Sequence, residues 1–278
     1  MKRHMLTRFA HVTALVATAG AVACGSAPTA PEAAVALSSP SAHTQYTTQS
    51  FTLDGRAAYI MEPASPRADR AWIWLAPSGM VANDTNMQYV THFLDQGFAV
   101  AGIEIGTSCG SLPGVAMFDD FYLRLVATGH SSRVRLLAQS NGGLMAYAWA
   151  FRHPSEVDRI GGIYPATDLR SWPGLPAVLT LPATGIGYGL TLAELTARVA
   201  EFNPVSNLRP LAQAGVRIYH FAGDSDAVVD INANSINVVD EYARMGGSAM
   251  LEIRPGLGHY TYGFYSDGLV AFMEGVGR

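Results

Sequence analysis

"LLAQSNGGLMAYAWAFRHP", residues 136–154, is the stretch that decides the fold of this chain. It holds one serine, Ser140, between an apolar run typical of a buried strand and a run with the composition of a helix. Small residues stand two positions on either side, at Ala138 and Gly142, as a tight strand-to-helix turn requires. Serine is also a favoured N-cap residue. The stretch alone therefore leaves two interpretations open, a nucleophile turn or an ordinary helix cap.

Outward from this stretch, segments typical of strands alternate with segments typical of helices. The predicted strands are 51–61, 71–77, 98–105, 133–139, 157–166, 215–224 and 248–256. The predicted helices are 85–97, 116–129, 141–153, 234–247 and 265–276. Such alternation implies right-handed βαβ units. The sequence thus predicts an α/β fold, with a mostly parallel, doubly wound sheet.

Residues 171–208 interrupt the alternation. They contain four prolines, a glycine-rich stretch and one clear helix, which begins with a capping box from Thr191 to Glu194. We interpret them as a small lid inserted over the carboxyl edge of the sheet. The segment 46–278 then forms a single domain.

Composition and charge narrow the class of protein. The chain is 49% hydrophobic, enough for a large core, and carries 18 basic and 22 acidic residues, a formal charge of −4. Because no basic surplus exists to neutralise phosphates, nucleic-acid binding is not expected.

The N-terminal residues 1–23 have the pattern of a signal peptide, with three basic residues before the apolar run 12–23. Cys24 follows, and the site resembles a bacterial lipobox with Ala21 where leucine is usual. Residues 24–45 read as a flexible tether. We expect an exported protein whose membrane contact is a lipid on Cys24; secretion with Cys24 incidental is the alternative.

Two strand ends carry residues suited to chemistry, because ligands bind beyond the carboxyl ends of strands in open α/β sheets. Asp226 follows the strand 215–224 and is suited to orient a histidine, whereas Asp224 is better explained as a turn-capping residue. His259 lies in a glycine-rich loop after the last strand, where functional residues concentrate. His220, inside a strand, is predicted to be structural.

The order Ser140, Asp226, His259 resembles that of the α/β-hydrolase superfamily, in which the serine, acid and histidine follow in that order. The resemblance runs from about residue 51 to the C-terminus. "GDSDAVV" (223–229) and "PGLGH" (255–259) are similar to the acid and histidine segments of dienelactone-hydrolase-like and prolyl-oligopeptidase-like members.

This resemblance implies a mechanism. His259 takes the proton of Ser140 as the serine attacks a carbonyl carbon, and Asp226 orients His259. Asp168, after the preceding strand, is an alternative acid because some relatives place the acid one strand earlier. Asp226 is favoured, since the "GDSD" turn fits its spacing to His259.

The resemblance also implies an oxyanion hole. The backbone N–H of Asn141, just after the nucleophile, supplies one donor, and the loop "APSGM" (76–80) supplies the second. That loop lacks the His-Gly pair of many relatives, so the second donor is either Ser78 or Gly79. The loop 104–114 falls where relatives have a Gly- and Ser-rich turn after the next strand.

The sequence says less about the substrate. Six apolar residues of the insertion are candidates for an acyl pocket or for packing the insertion onto the sheet: Trp172, Leu175, Leu179, Leu181, Ile186 and Tyr188. Cys109, without an evident base partner, is interpreted as a lining residue. No metal-ligand motif and no nucleotide-binding glycine fingerprint is present in the sequence, so no cofactor is expected.

Three functions remain. The leading one is an exported carboxylic-ester hydrolase acting on a small-molecule ester. The second is a serine peptidase or amidase on the same scaffold. The large extra domain of prolyl-oligopeptidase-like peptidases is not found in this sequence, which counts against this second function. The third is a catalytically idle envelope binding protein, although binding alone gives no reason to keep all three triad residues.

Overall fold

A computed structural model describes residues 46–76, 86–259 and 264–276 of the 278-residue chain. These residues form eight strands and eight α-helices. The strands are β1 (Tyr46–Leu53), β2 (Arg56–Pro63), β3 (Trp72–Ala76), β4 (Ala99–Ile103), β5 (Val134–Gln139), β6 (Val157–Ile163), β7 (Arg217–Gly223) and β8 (Ala249–Arg254). The helices are α1 (Met87–Asp95), α2 (Leu112–Ala127), α3 (Gly142–Ala150), α4 (Leu175–Thr180), α5 (Leu192–Phe202), α6 (Arg209–Gln213), α7 (Asn237–Arg244) and α8 (Asp267–Glu274).

The strands form one sheet in the order β1-β2-β4-β3-β5-β6-β7-β8. Every pairing from β4 to β8 is parallel, and only the pairings of β2 with β1 and β4 are antiparallel. The predicted mostly parallel sheet is confirmed. β3 and β4 are buried along their whole length, which explains their continuous apolar sequences.

The prediction of a single strand over 51–61 is wrong. The chain turns at Asp54 and Gly55, which have φ of 48° and 75°, and Leu53 pairs with Arg56. Two residues with positive φ make a hairpin turn whose twist matches that of the flanking strands, and Asp-Gly is a preferred pair there. The segment is therefore a two-stranded edge hairpin.

Helices pack on both faces of the sheet, as the prediction of a doubly wound sheet requires. On one face, α2, α3 and α7 contribute Phe121, Trp149 and Tyr242 to a buried cluster with the strands. On the other face, α1 and α8 contribute Phe93 and Leu269 to a second cluster. The carboxyl ends of the parallel strands thus remain available for loops.

The insertion lies between β6 and β7 and contains α4 and α5. The predicted capping box is confirmed, with the Thr191 hydroxyl accepting from the Glu194 N–H at 3.3 Å and the Glu194 carboxylate accepting from the Thr191 N–H at 2.8 Å. Just before the insertion, the Leu169 N–H donates to the side chain of the buried Asn203 at 2.8 Å. The N–H of the preceding residue, Asp168, donates to the side chain of the buried Asn234 at 3.0 Å. These buried amides fix the chain where it leaves the sheet.

His220 confirms its predicted structural role. It is fully buried in β7, and its ring nitrogens lie 2.8 Å from the Tyr147 hydroxyl and 3.1 Å from that of Ser235. Burial lowers the pKa of His220 to about 3, so the ring stays neutral at physiological pH. It therefore joins β7 to α3 without carrying a charge.

Several sequence predictions concern residues outside the described part of the chain. These are the signal peptide 1–23, lipidation of Cys24, the tether up to residue 45, and the oxyanion residues Ser78 and Gly79. Within the described part, no helix is both long enough and apolar enough to cross a membrane.

Candidate active site

Ser140 occupies a sharp turn between β5 and α3. Its φ is 50°, in the left-handed region that residues with a Cβ rarely adopt. Three backbone hydrogen bonds hold this conformation. The Ser140 N–H donates to the Ile163 carbonyl at 3.1 Å, and the Ser140 carbonyl accepts from the N–H groups of Gly143 and Ala166, both at 2.9 Å. The strained turn is thus supported by the end of β6.

The geometry bears on the two interpretations of Ser140. The N-cap of α3 is Asn141, and it makes no side-chain capping bond. The Ser140 Oγ lies 2.9 Å from Nε2 of His259 instead. The side chain of Ser140 is therefore directed to the histidine and not to the first turn of the helix.

Asp226 lies on the other side of His259, with 2.7 Å between Asp226 Oδ2 and His259 Nδ1. Both side chains are 2% exposed. Asp226 Oδ1 accepts from the backbone N–H groups of Val228 and Val229 at 2.8 and 2.9 Å. Burial alone favours a higher pKa, but the hydrogen bonds from His259, Val229 and Val228 outweigh it and hold the pKa of Asp226 below its usual range.

The ionised carboxylate determines which nitrogen of His259 carries the proton. A carboxylate can only accept, so Nδ1 of His259 donates to Asp226. In the neutral ring, Nε2 is then unprotonated and accepts from the Ser140 hydroxyl. This tautomer leaves Nε2 ready to take the proton of Ser140.

Two hydrogen bonds join the acid loop to the histidine loop. The Asp224 carboxylate accepts from the Gly256 N–H of the histidine loop at 2.7 Å, and the Ser225 N–H donates to the Leu257 carbonyl at 3.1 Å. A Cβ at Gly223 would lie 1.9 Å from that carbonyl. Only glycine permits this approach, which sets the distance between Asp226 and His259.

The alternative acid, Asp168, faces other partners. Its carboxylate accepts from the Asn203 side-chain amide at 2.8 Å and from the Arg170 N–H at 3.0 Å. The structure thus brings Asp226, and not Asp168, to His259.

Asn141 stands at the N-terminus of α3, where backbone N–H groups have no partner within the helix. Its side chain is 1% exposed and donates to the Thr107 hydroxyl at 3.2 Å, which links the turn to the loop after β4. The placement suits the predicted oxyanion donor.

The described apolar residues of the insertion pack against the body of the domain. Trp172, Leu175, Leu179 and Tyr188 contact a buried cluster that includes Cys109. Ile186 is also buried, whereas Leu181 is exposed. Their part in an acyl pocket stays a prediction.

Cys109 is buried in the same cluster, and its carbonyl accepts from the Tyr188 hydroxyl at 2.8 Å. Burial raises the pKa of the thiol to about 12, so it is protonated at neutral pH. This agrees with a lining role and not with a nucleophilic one. No cluster of three His, Cys, Asp or Glu side chains suited to a metal ion occurs among the described residues.

Sequence reasoning missed a set of buried polar side chains close to Ser140 and His259, namely Asn86, Gln139 and Tyr164. The Asn86 amide donates to Gln139 at 3.0 Å, and Gln139 donates to the Tyr164 hydroxyl. One signal was available in the sequence: Gln139, the residue before Ser140, is polar and directly follows the apolar residues 136–138.

Gly143→Ala is expected to lower the free energy of unfolding by about 1–3 kcal/mol. A Cβ at this position would lie 2.3 Å from the Ala166 carbonyl oxygen and 2.8 Å from Cβ of Pro165, in the segment that supports Ser140. Urea denaturation measures the loss. The control is Gly187→Ala, whose nearest atom would be 3.7 Å away, and its change should stay below about 0.5 kcal/mol. Equal losses in both variants would contradict the close approach.

Comparisons with known proteins place the fold. No protein-family model matches the chain, and no curated protein matches its sequence. Solved structures do match. A puromycin-hydrolyzing peptidase of Mycobacterium tuberculosis aligns with a TM-score of 0.64 and 16% identity, over 84% of this chain and 40% of that one. MPT51 of the same organism aligns with a TM-score of 0.63 and 16% identity, over 84% of this chain and 97% of that one.

A truncated carbohydrate esterase from gut microbiota aligns with a TM-score of 0.60 and 17% identity, over 84% of this chain and 96% of that one. This chain spans 40% of the length of a puromycin hydrolase that it also matches. The neighbours have the α/β-hydrolase fold. The chain has this fold as well, as its sequence predicts.

Proposed function

We propose that this protein is a serine hydrolase that cleaves a carboxylic ester through an acyl-enzyme intermediate. One observation carries the proposal: an unbroken line of hydrogen bonds runs from the Ser140 hydroxyl through His259 to the Asp226 carboxylate. A buried serine in a left-handed turn, with a histidine of the correct tautomer against its oxygen, is the arrangement that makes a hydroxyl nucleophilic.

The geometry performs the reaction in two halves. As the Ser140 Oγ attacks the ester carbonyl carbon, Nε2 of His259 takes the hydroxyl proton, and Asp226 stabilises the resulting imidazolium. The carbonyl oxygen becomes negative and accepts from the Asn141 N–H. When the carbon–oxygen bond of the ester breaks, Nε2 returns the proton to the departing alcohol.

Water completes the cycle by the same groups. Nε2 of His259 removes a proton from water as its oxygen attacks the acyl carbon, and the proton then passes to Ser140 as the acid is released. The net reaction adds one water to one ester, and no external oxidant, reductant or cofactor takes part.

Two candidate substrates come from the neighbouring structures. The carbohydrate esterase aligns along 96% of its chain, which supports an ester. The puromycin-hydrolyzing peptidase supports an amide or peptide bond, although this chain covers 40% of it. We favour the ester because of the longer match.

A direct assay tests these proposals. The purified protein is incubated with short p-nitrophenyl esters, with aminoacyl p-nitroanilides and with a fluorophosphonate probe, whose adduct is located by mass spectrometry. Ester turnover with labelling at Ser140 is the expected result. Anilide cleavage without ester cleavage would indicate a peptidase or amidase. If the protein shows neither turnover nor labelling, the catalytically idle binding protein is the function that remains. Export and lipidation of Cys24 stay predictions from the sequence.

A further inference from the structure

Three buried polar side chains form a continuous row behind the proposed triad. Asn86, the N-cap residue of α1, is fully buried, and Gln139 and Tyr164 are 5% and 2% exposed. The Asn86 amide donates to the Gln139 carbonyl oxygen at 3.0 Å, and the Gln139 amide donates to the Tyr164 hydroxyl. Buried polar groups cost free energy unless they are paired, and this row pairs its members with one another.

The row ends against His259. The ring centroids of Tyr164 and His259 are 4.4 Å apart, with the ring planes inclined by 54°. On another side, Phe264 packs edge-on against Tyr164 at 4.3 Å. The tyrosine ring thus has little freedom, and a shift of it would be transmitted to the histidine ring.

The backbone of Tyr164 is held as firmly as its ring. Its φ is 37°, in the left-handed region that a bulky residue rarely adopts, and its N–H donates to the Phe221 carbonyl at 2.7 Å. Such strain persists only where the surroundings impose it, and it is concentrated at functional sites.

The other end of the row is continuous with the nucleophile. Gln139 is the last residue of β5 and is bonded covalently to Ser140. One side chain therefore connects the strand that carries Ser140 to the ring that packs on His259. The two ends of the Ser140–His259 hydrogen bond, 2.9 Å long, share this support.

We propose that Gln139 and Tyr164 are positioning residues that hold the His259 ring so that Nε2 faces the Ser140 hydroxyl. This inference rests on the proposed serine-hydrolase function. The two residues act by restricting the ring that moves the proton, and small displacements of a proton-transfer group are costly to the rate.

The test is Tyr164→Phe, which removes the hydroxyl that accepts from Gln139 and keeps the ring. We expect kcat for a p-nitrophenyl ester to fall about tenfold, with KM within about twofold, because ring alignment matters for proton transfer and not for substrate binding. Gln139→Met, which keeps the side-chain length, should give a similar loss. The double variant should lose little more than either single variant, because both changes break the same contact.

Tyr242→Phe is the matched control. Tyr242 is also fully buried, and its hydroxyl donates to the Val216 carbonyl at 2.6 Å in the core. This variant should be less stable to urea but keep kcat and KM. A purely structural role for Tyr164 predicts the same pattern in Tyr164→Phe, a loss of stability with unchanged kcat, and that pattern would overturn the inference while leaving the proposed function intact.

A second readout does not depend on turnover. The His259 Nδ1 proton, which is donated to Asp226, is expected as a downfield proton resonance in NMR spectra. The resonance should shift or broaden in Tyr164→Phe and stay in place in Tyr242→Phe. An unchanged resonance in Tyr164→Phe would contradict the inference, whether or not the wild-type protein hydrolyses an ester. Absence of ester hydrolysis by the wild-type protein would instead count against the proposed function.

Discussion

Ser140→Ala is expected to lower kcat/KM for p-nitrophenyl esters by at least about 10⁴-fold. The variant has no oxygen to attack the ester, although the rest of the site remains. The melting temperature should change by less than about 3 °C, because the Ser140 Oγ caps no helix turn and contacts His259 instead. Steady-state kinetics and a thermal melt of the same preparation provide both numbers.

Ser266→Ala is the control for the helix-cap interpretation. Ser266 is the N-cap of α8, and its Oγ accepts from the Leu269 N–H at 3.0 Å. The same Oγ donates to the Glu252 carboxylate, so the loss of both hydrogen bonds should cost about 1–3 kcal/mol of stability and leave kcat unchanged. If Ser140→Ala behaved in this way, with a similar loss of stability and retained turnover, Ser140 would be a structural cap and the proposed function would be wrong.

Asp226→Asn is expected to lower kcat by about 10³- to 10⁴-fold, with a small effect on KM. In the native protein, Oδ1 accepts from two backbone N–H groups, those of Val228 and Val229. The oxygen of an asparagine amide would take that place, and its NH₂ group would then face Nδ1 of His259. Nδ1 would have to accept, so the proton would sit on Nε2, which could no longer take the proton of Ser140.

Asp168→Asn provides the comparison for this second result. Asparagine at this position can still accept from the Asn203 amide and the Arg170 N–H, so kcat should stay within about twofold. Stopped-flow or steady-state rates at the same pH compare the two variants. A greater loss in Asp168→Asn than in Asp226→Asn would show that the acid has been assigned to the wrong strand end.

The parts of the site that the sequence predicts are those that depend on chain order and local pattern. The strand patterns identify the parallel strands, and Ser140, Asp226 and His259 each lie after one of them. Because the carboxyl ends of parallel strands share one edge of a sheet, residues 119 positions apart can meet there.

The edge hairpin and the start of α2 differ from what the sequence predicts. The Asp54–Gly55 pair is a strong hairpin signal, yet the apolar residues around it suggested one continuous strand. The helix α2 begins at Leu112, earlier than predicted, because Ser111 caps it by accepting from the Gly114 N–H at 3.2 Å.

The row behind the triad could not be predicted, for a physical reason. Gln139 and Tyr164 are 25 residues apart and meet because β5 and β6 are adjacent, with Gln139 opposite Ile163. Nothing local in either residue indicates the partner. A buried amide and a buried phenol become meaningful only when the strand register is known.

The close approach of Gly223 to the Leu257 carbonyl joins the acid loop to a loop at the edge of the sheet. His259 follows β8, the outermost strand, which is paired on one side only among the described residues. Edge strands open at a lower free-energy cost than the centre of a sheet. In the proposed mechanism, proton transfer by His259 therefore depends on the stability of this edge of the sheet. On warming, fraying of this edge would separate acid from base while most of the sheet remained folded.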